Sequence, residues 1–366
     1  MSNATVATRA FNFSAGPAVL PESVLEQAQA DLWDIDGSGI GILEHSHRGK
    51  VFDRVIDECE ADCRRVGGIS DDYAVLFLQG GASLQFGMIP VNFLPNGKTA
   101  DYINTGVWTS KAIAEAKLFG NIHLPYDGKP ENFKRIPNAD ELKFSPAAVY
   151  LHYCSNNTIY GTRFNHLPKT AAPLIADMSS EMFSRPIDID AHALIYAGAQ
   201  KNLGPAGVTL VIIRKDFAEQ GNAKVTSMMS YQKHIAEGSR MNTPPTFGIY
   251  IMGLVFKWIL QQGGVAEIEK LNDAKARLIY DAIDRHAGFY LGHSEVDSRS
   301  VMNIPFRTPS EELDKKFLAG AAEQRMDGLK GHRNTGGIRA SIYNAFPRAG
   351  CEALANYMDD FAAKHG

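Results

Sequence analysis

Four cysteines in a chain of 366 residues are too few to staple a fold of this size, so disulfides are not expected to organise it. Cys59 and Cys63 lie one helical turn apart and outside any zinc-type C-x-x-C. His45 and His47 lie upstream without metal-ligand spacing, so no metal site is expected. No uninterrupted apolar run reaches the roughly 18–20 residues a membrane span needs. The first residues, Met1 to Phe13, lack the apolar core of a secretory signal. A formal net charge of -4 with no basic block gives neither nucleic acid nor anionic lipid anything to bind. The dinucleotide fingerprint G-x-G-x-x-G is missing after the first strands, which speaks against a nicotinamide enzyme. Internal repeats and low-complexity stretches are absent as well. Together these absences point to a cytoplasmic, metal-free protein. Any anion it recognises must be met by local arginine and histidine groups.

What is present is ordinary globular material, 45% apolar and 21% charged. The length exceeds what one core usually serves, so two domains are expected. Short apolar runs at Tyr73–Leu78, Thr99–Asn104, Val149–Cys154, Pro173–Met178, Ala193–Ala197 and Thr209–Arg214 read as strands. Most are separated by segments long enough for a helix, which predicts an α/β layer with a mainly parallel central sheet flanked by helices. The last two are joined only by a Gly-Pro-Ala-Gly turn and are expected to pair antiparallel. A long apolar helix from Thr246 to Gln262 is broken by Gly263-Gly264, and a charged helix from Val265 to about His286 follows. The expected division is a large domain over 14–262 and a smaller C-terminal α+β domain over 263–366, joined by residues 1–13. Within the small domain, strands are expected at Met302–Phe306 and Gly337–Ile342, with helices near Pro309–Arg325 and Pro347–Lys364.

The most informative stretch runs from Ile175 to Gly207. Asp177 ends an apolar strand, where a buried carboxylate needs a partner. Lys201 follows the run Ala193–Ala197 and precedes a Gly-Pro turn. Both therefore fall at strand carboxyl ends, where open α/β sheets bind ligands. An Asp–Lys pair of arbitrary spacing is usually a loop cap and a solvated turn residue. The residues around this pair argue otherwise: Ala199–Gly207 resembles the lysine segment of the class V aminotransferases, and Asp177–Ser180 resembles their aspartate segment. The resemblance implies the fold type I scaffold and pyridoxal 5′-phosphate (PLP) as cofactor. Such a cofactor requires a lysine to bond its aldehyde and an acid to keep its pyridine nitrogen protonated. A lowered lysine pKa would suit that amine to its task.

Gly80-Gly81-Ala82-Ser83 follows a strand and opens a helix, so its main-chain N–H groups and helix dipole can cradle a phosphate. The resemblance makes this the cofactor's phosphate loop, with Ala82 and Ser83 as donors. It also implies that Trp108 stacks on the ring, that Thr158 bonds the 3′-oxygen, and that Gln200 contacts phosphate or ring. Asn242 and Thr243 match residues that reach the cofactor of a neighbouring subunit, so a homodimer with shared active sites is expected.

Phe11–Ala18, Ser46–Lys50 and Gly331–Ala345 are similar to the branch of this family that handles a phosphorylated amino acid, and the match runs over about residues 11 to 364. It implies amino transfer from L-glutamate to 3-phosphohydroxypyruvate, giving O-phospho-L-serine and 2-oxoglutarate in serine biosynthesis. It further implies a role with 4-phosphohydroxy-L-threonine in vitamin B6 biosynthesis. Such substrates need several fixed cations. Arg339 is the candidate for the α-carboxylate, where a planar guanidinium makes two parallel hydrogen bonds. His47, Arg48, His332 and Arg333 are the candidates for the phosphate, or for the glutamate side chain in the other half-reaction. An alanine–glyoxylate-type aminotransferase is the nearest rival, but it would not need two His-Arg pairs. A cysteine desulfurase usually carries histidine where Gln200 stands. Two positions depart from some relatives: Ser83 stands in place of an arginine, and Ala15 in place of a serine.

Overall fold

The computed structural model describes residues 9–366. The grouping of residues 1–8 with the small domain, and most of the stretch read for a signal, lie outside the described residues. Seven strands form the main sheet, in the order Tyr73–Leu78, Thr209–Arg214, Leu194–Gly198, Leu174–Asp177, Ala148–Cys154, Thr99–Asn104, Asn121–Asp127. Thr209–Arg214 alone runs against the rest, pairing antiparallel on both sides. The ten residues after Gly198 are too few for a crossover helix, so the chain can only turn back there. The other six strands all run in one direction, which sends their carboxyl ends to one edge.

Tyr73–Leu78, Leu174–Asp177 and Leu194–Gly198 are buried along their whole length, as continuous apolar runs covered on both faces should be. One face packs against the helices Lys50–Gly67 and Thr246–Gln261. The opposite face lies under Gly81–Phe93 and Val107–Ala116. Two features differ from the expectation. The connections after Cys154 and after Asp177 contain no helix. Asn156, Asn157, Gly161 and Pro168 interrupt the first, and Ser179, Ser180 and Pro186 the second, so helical runs cannot establish themselves. The edge strand Asn121–Asp127 also escaped the sequence reading, since it contains Pro125 and is otherwise largely solvent-facing.

A third apolar cluster gathers Phe13, Ile304, Phe306, Phe317, Ile338 and Leu354 around a three-stranded antiparallel sheet. That sheet comprises Leu291–Gly292, Asn303–Arg307 and Ile338–Ser341. The helix Val265–Arg285 supplies Ile268 to the first cluster and Ile279 and Ile283 to the third. From the same helix, the buried Lys275 ammonium donates to the carbonyls of Ile342, Tyr343, Asn344 and Phe346, just beyond the last strand of that sheet. A chain of amides joins the two sheets. Asn156 Nδ2 donates to Ser180 Oγ at 2.8 Å and to Asn303 Oδ1 at 3.0 Å, and Asn303 Nδ2 donates to Ser341 Oγ at 3.0 Å. The strand that carries Arg339 is thereby fixed to the main sheet. Among the described residues no single helix is long and apolar enough to cross a membrane.

Candidate active site

The carboxyl edge of the main sheet gathers the groups singled out in the sequence. Asp177 is the last residue of its strand and only 4% exposed. Its carbonyl accepts from the N–H and the hydroxyl of Ser155, at 3.0 and 3.2 Å, which fixes the strand end. Its Oδ1 accepts from the Ser179 N–H at 2.9 Å. Lys201 lies three residues beyond Gly198, on a turn closed by the Leu203 and Gly204 N–H groups donating to the Ala199 carbonyl. Its Nζ donates to Thr158 Oγ1 at 2.6 Å and lies 6.0 Å from the centre of the Trp108 ring. The helix-free connection after Cys154 is what delivers Thr158 to this place.

Desolvation dominates the electrostatics of the pair. Burial pushes the Asp177 carboxyl up and the Lys201 ammonium down from their ordinary values. Each one's opposite charge works against those shifts, as does the Ser179 hydrogen bond at Asp177, and the nearby Arg339 lowers the lysine further. The amine is thus more readily a free base than a solvated lysine, and the carboxylate is short of stabilising partners. Arg339 Nη1 donates to the Thr158 carbonyl at 3.3 Å, while its buried Nε has no partner among the described residues. Trp108 Nε1 is likewise buried and unpartnered. No ion pair among the described residues neutralises Arg339. His332 is pushed below its ordinary pKa by burial and then by Arg339, Arg333 and Lys111, so these cations share one neighbourhood. Such a cluster is costly to assemble unless an anion joins it.

At the next strand end, Gly80 and Gly81 adopt φ of 87° and 66°, which only glycine takes without strain. A Cβ on Gly80 would also lie 2.6 Å from Leu84. The helix Gly81–Phe93 opens there without a side-chain cap, so the N–H groups of its first turn are free to meet an anion. Ala82 and Ser83 are in that turn. Asn242 Nδ2 donates to Gln79 Oε1 at 3.0 Å, and Gln79 Nε2 to the Thr243 carbonyl at 2.8 Å, so this pair lies beside the glycine turn of its own chain. The Gln200 side chain folds back on Gly198, where a Cβ would meet its Oε1 at 2.7 Å. Its carbonyl accepts from Ala18 N–H at 2.9 Å, tying the N-terminal segment to the lysine turn. His47 and Arg48 precede the helix Lys50–Gly67, and no hydrogen bond or ion pair among the described residues joins them to Lys201, Thr158 or Arg339.

The sequence reading overlooked Ser179, Tyr196 and His152, which surround Asp177 directly or at one remove. No local pattern marks them, because which strands are neighbours is not written in sequence order.

A carboxylate and an amine both desolvated, a bare helix start and two orphaned donors suit a ligand with a cationic ring nitrogen, an aldehyde and a phosphate. The family model of the class V aminotransferases matches residues 10–354. The chain belongs to the class V aminotransferases. It is 52% identical, over 97% of its length and 99% of the relative's, to a phosphoserine aminotransferase of Herpetosiphon aurantiacus. Its fold superposes on the phosphoserine aminotransferase of Bacillus circulans subsp. alkalophilus with a TM-score of 0.96, at 48% identity, covering 98% of this chain and 100% of the other. A PLP-bound phosphoserine aminotransferase from Trichomonas vaginalis gives 0.91 at 39% identity, covering 96% of this class V chain and 100% of its own.

Proposed function

We propose that this class V aminotransferase moves the amino group of L-glutamate to 3-phosphohydroxypyruvate, yielding O-phospho-L-serine and 2-oxoglutarate by a ping-pong mechanism. The cofactor is pyridoxal 5′-phosphate, which supplies an aldehyde to carry the amino group and a ring to accept an electron pair. Lys201 is the group that bonds it and the base that takes and returns the substrate Cα proton, a task its lowered pKa favours. Asp177 holds the ring-nitrogen proton in place. Trp108 covers one ring face, Thr158 meets the 3′-oxygen, Gln200 bounds the ring edge, and the main chain at Ala82 and Ser83 takes the phosphate. Arg339 grips the α-carboxylate, and His332 and Arg333 add charge for the distal anion. The observation that carries the reading is the convergence of Lys201 and Arg339 on Thr158 beside a buried acid, amid cations that lack carboxylate partners.

The distal phosphate is what separates this substrate from serine. Added to the PLP-loaded enzyme, O-phosphoserine is expected to discharge the visible absorbance of the lysine-linked cofactor at least about 100-fold faster than serine at equal concentration. Equal rates would sink the phosphate-specific reading and leave an aminotransferase of the alanine–glyoxylate kind. Arg339→Lys keeps the charge but loses the paired fork. It is expected to raise KM for glutamate and phosphoserine alike by about 10–100-fold, with a smaller change in kcat. Steady-state kinetics with both amino donors checks this.

The active unit is a homodimer in this reading. Among the described residues no hydrogen bond or ion pair joins His47 and Arg48 to their own chain's site, and their segment also exposes Trp33, Ile40 and Leu43, a surface suited to burial against a second copy. Asn242 and Thr243 then serve the partner's cofactor phosphate together with their own chain's glycine turn. The three apolar clusters support a large domain over 14–262 and a small one over 263–366, to which Phe13 adds the N-terminal segment. Four unpaired, buried cysteines suit a cytoplasmic location.

A further inference from the structure

The two principal groups of the proposed site belong to different parts of the chain. Lys201 lies at the carboxyl edge of the main sheet, whereas Arg339 is carried by the last strand of the three-stranded sheet. Directly after that strand comes the turn 342–346, and several contacts converge on it. Asn202, the neighbour of Lys201, accepts the Asn344 N–H on its Oδ1 at 3.0 Å. The Tyr343 hydroxyl donates to the Ala15 carbonyl at 2.8 Å. A Cβ on the next residue, Gly16, would lie 3.5 Å from Lys201 Cγ, so this segment runs along the lysine stem. Asn344 Nδ2 donates to the Phe183 carbonyl at 2.9 Å, in the connection that leaves Asp177. Asn272 Nδ2 donates to Asn344 Oδ1 at 2.9 Å and to the Ser184 carbonyl at 3.0 Å. Asn202, Asn272, Tyr343 and Asn344 are at most 7% exposed.

One buried cation draws this turn together. Lys275 follows Asn272 by three residues on the helix Val265–Arg285, and so shares its face. Its Nζ donates to the Tyr343 carbonyl at 2.8 Å and to those of Ile342, Asn344 and Phe346 at 3.2 Å each. Four carbonyl oxygens aimed at one point repel one another unless a positive charge sits among them. An uncharged amine would bring only two protons to those four acceptors. Burial lowers the Lys275 pKa to about 8, so the ammonium is the form present at neutral pH.

We propose that Lys275 is a positioning residue for amino transfer: by closing the turn 342–346 it seats Arg339 at its working distance from Lys201. The inference rests on the roles proposed above for Lys201 and Arg339.

A buried lysine that only held a loop would serve stability alone. This turn, however, joins the Arg339 strand to the residue beside Lys201 and to the segment along its stem. Without the cation the carbonyls part, the Asn344 N–H leaves Asn202, and the strand end shifts against the lysine turn. The contact most sensitive to such a shift is Arg339 Nη1 to the Thr158 carbonyl, already long at 3.3 Å. The amide chain through Asn156, Asn303 and Ser341 still joins the two sheets, so a small displacement is expected rather than loss of the fold.

The test is Lys275→Met, which keeps the unbranched stem and removes the charge. Rates of the PLP-loaded variant are normalised to the visible absorbance of the lysine-linked cofactor. On that basis kcat should fall by about tenfold, and KM for glutamate and O-phosphoserine should rise by about tenfold. The joint loss differs from that of Arg339→Lys, where KM carries most of the effect. A crystal structure of the loaded variant should show Arg339 Nη1 withdrawn from the Thr158 carbonyl to beyond about 4 Å. Asn202→Ala removes the link to Asn344 and leaves the cation in place. It should lower kcat by about threefold alone and by little more when added to Lys275→Met. It carries the test if Lys275→Met does not fold. A purely structural role would lower the melting temperature and leave kcat, KM and the Arg339 contact unmoved. That result, in an enzyme that links PLP at Lys201, overturns the proposal while the function stands. Failure of the unmodified enzyme to link PLP at Lys201 would overturn the function as well.

Discussion

Lys201→Ala is expected to reduce turnover by at least about 10³-fold, measured as kcat with glutamate and 3-phosphohydroxypyruvate. The size of the loss follows from the site having no understudy. Lys201 Nζ is held within 2.6 Å of Thr158 Oγ1 and near the Trp108 ring. The other cations of the neighbourhood are Arg339 and Arg333, which are too basic to serve as proton acceptors, the half-buried His332, and Lys111, 4.7 Å from the centre of the same tryptophan ring. The protein should still bind PLP through the glycine turn and Asp177, but without the visible absorbance of a lysine-linked aldehyde. A small added amine should restore part of the rate in proportion to its free-base concentration. Retention of full activity by Lys201→Ala would remove the basis of the functional reading.

The second large effect is expected from Asp177→Asn, with kcat lower by about 10²–10³-fold and a modest change in KM. The amide is nearly the same shape but cannot hold a positive charge on a ring nitrogen, while Arg339 remains free to bind carboxylates. The same substitution should stabilise the cofactor-free protein. Burial raises the Asp177 pKa in the folded state above its unfolded value. Between those two values the folded chain binds the proton more tightly than the unfolded one. Stability therefore falls as pH rises through that window and stays lower at neutral pH. Asparagine carries no such cost, so thermal unfolding of the cofactor-free variant at neutral pH should occur at a higher temperature. A variant that is less active and no more stable would show that Asp177 is better compensated than its surroundings indicate.

Where Asp177 and Lys201 fall could be read from the chain before folding, because both follow strands whose apolar runs are unambiguous. Asp177 ends one such run and Lys201 closes the short turn after another. The same short turn made the reversal of Thr209–Arg214 legible. The order of the parallel strands was not legible, since no local pattern says that Leu194–Gly198 lies beside Leu174–Asp177. That is why no local pattern pointed to Tyr196 as the neighbour of Asp177. Nor could the sequence say that Thr158 would reach the lysine from a connection without a helix. The two His-Arg pairs look alike as dipeptides, yet it is His332 that feels both Arg333 and Arg339 within the chain.

Thr158 holds the lysine amine through its hydroxyl and Arg339 through its carbonyl. A single residue therefore stands between the proposed base and the proposed carboxylate grip. With Lys201 as the base and Arg339 as the carboxylate grip, as proposed, one threonine's two oxygens set the spacing between them.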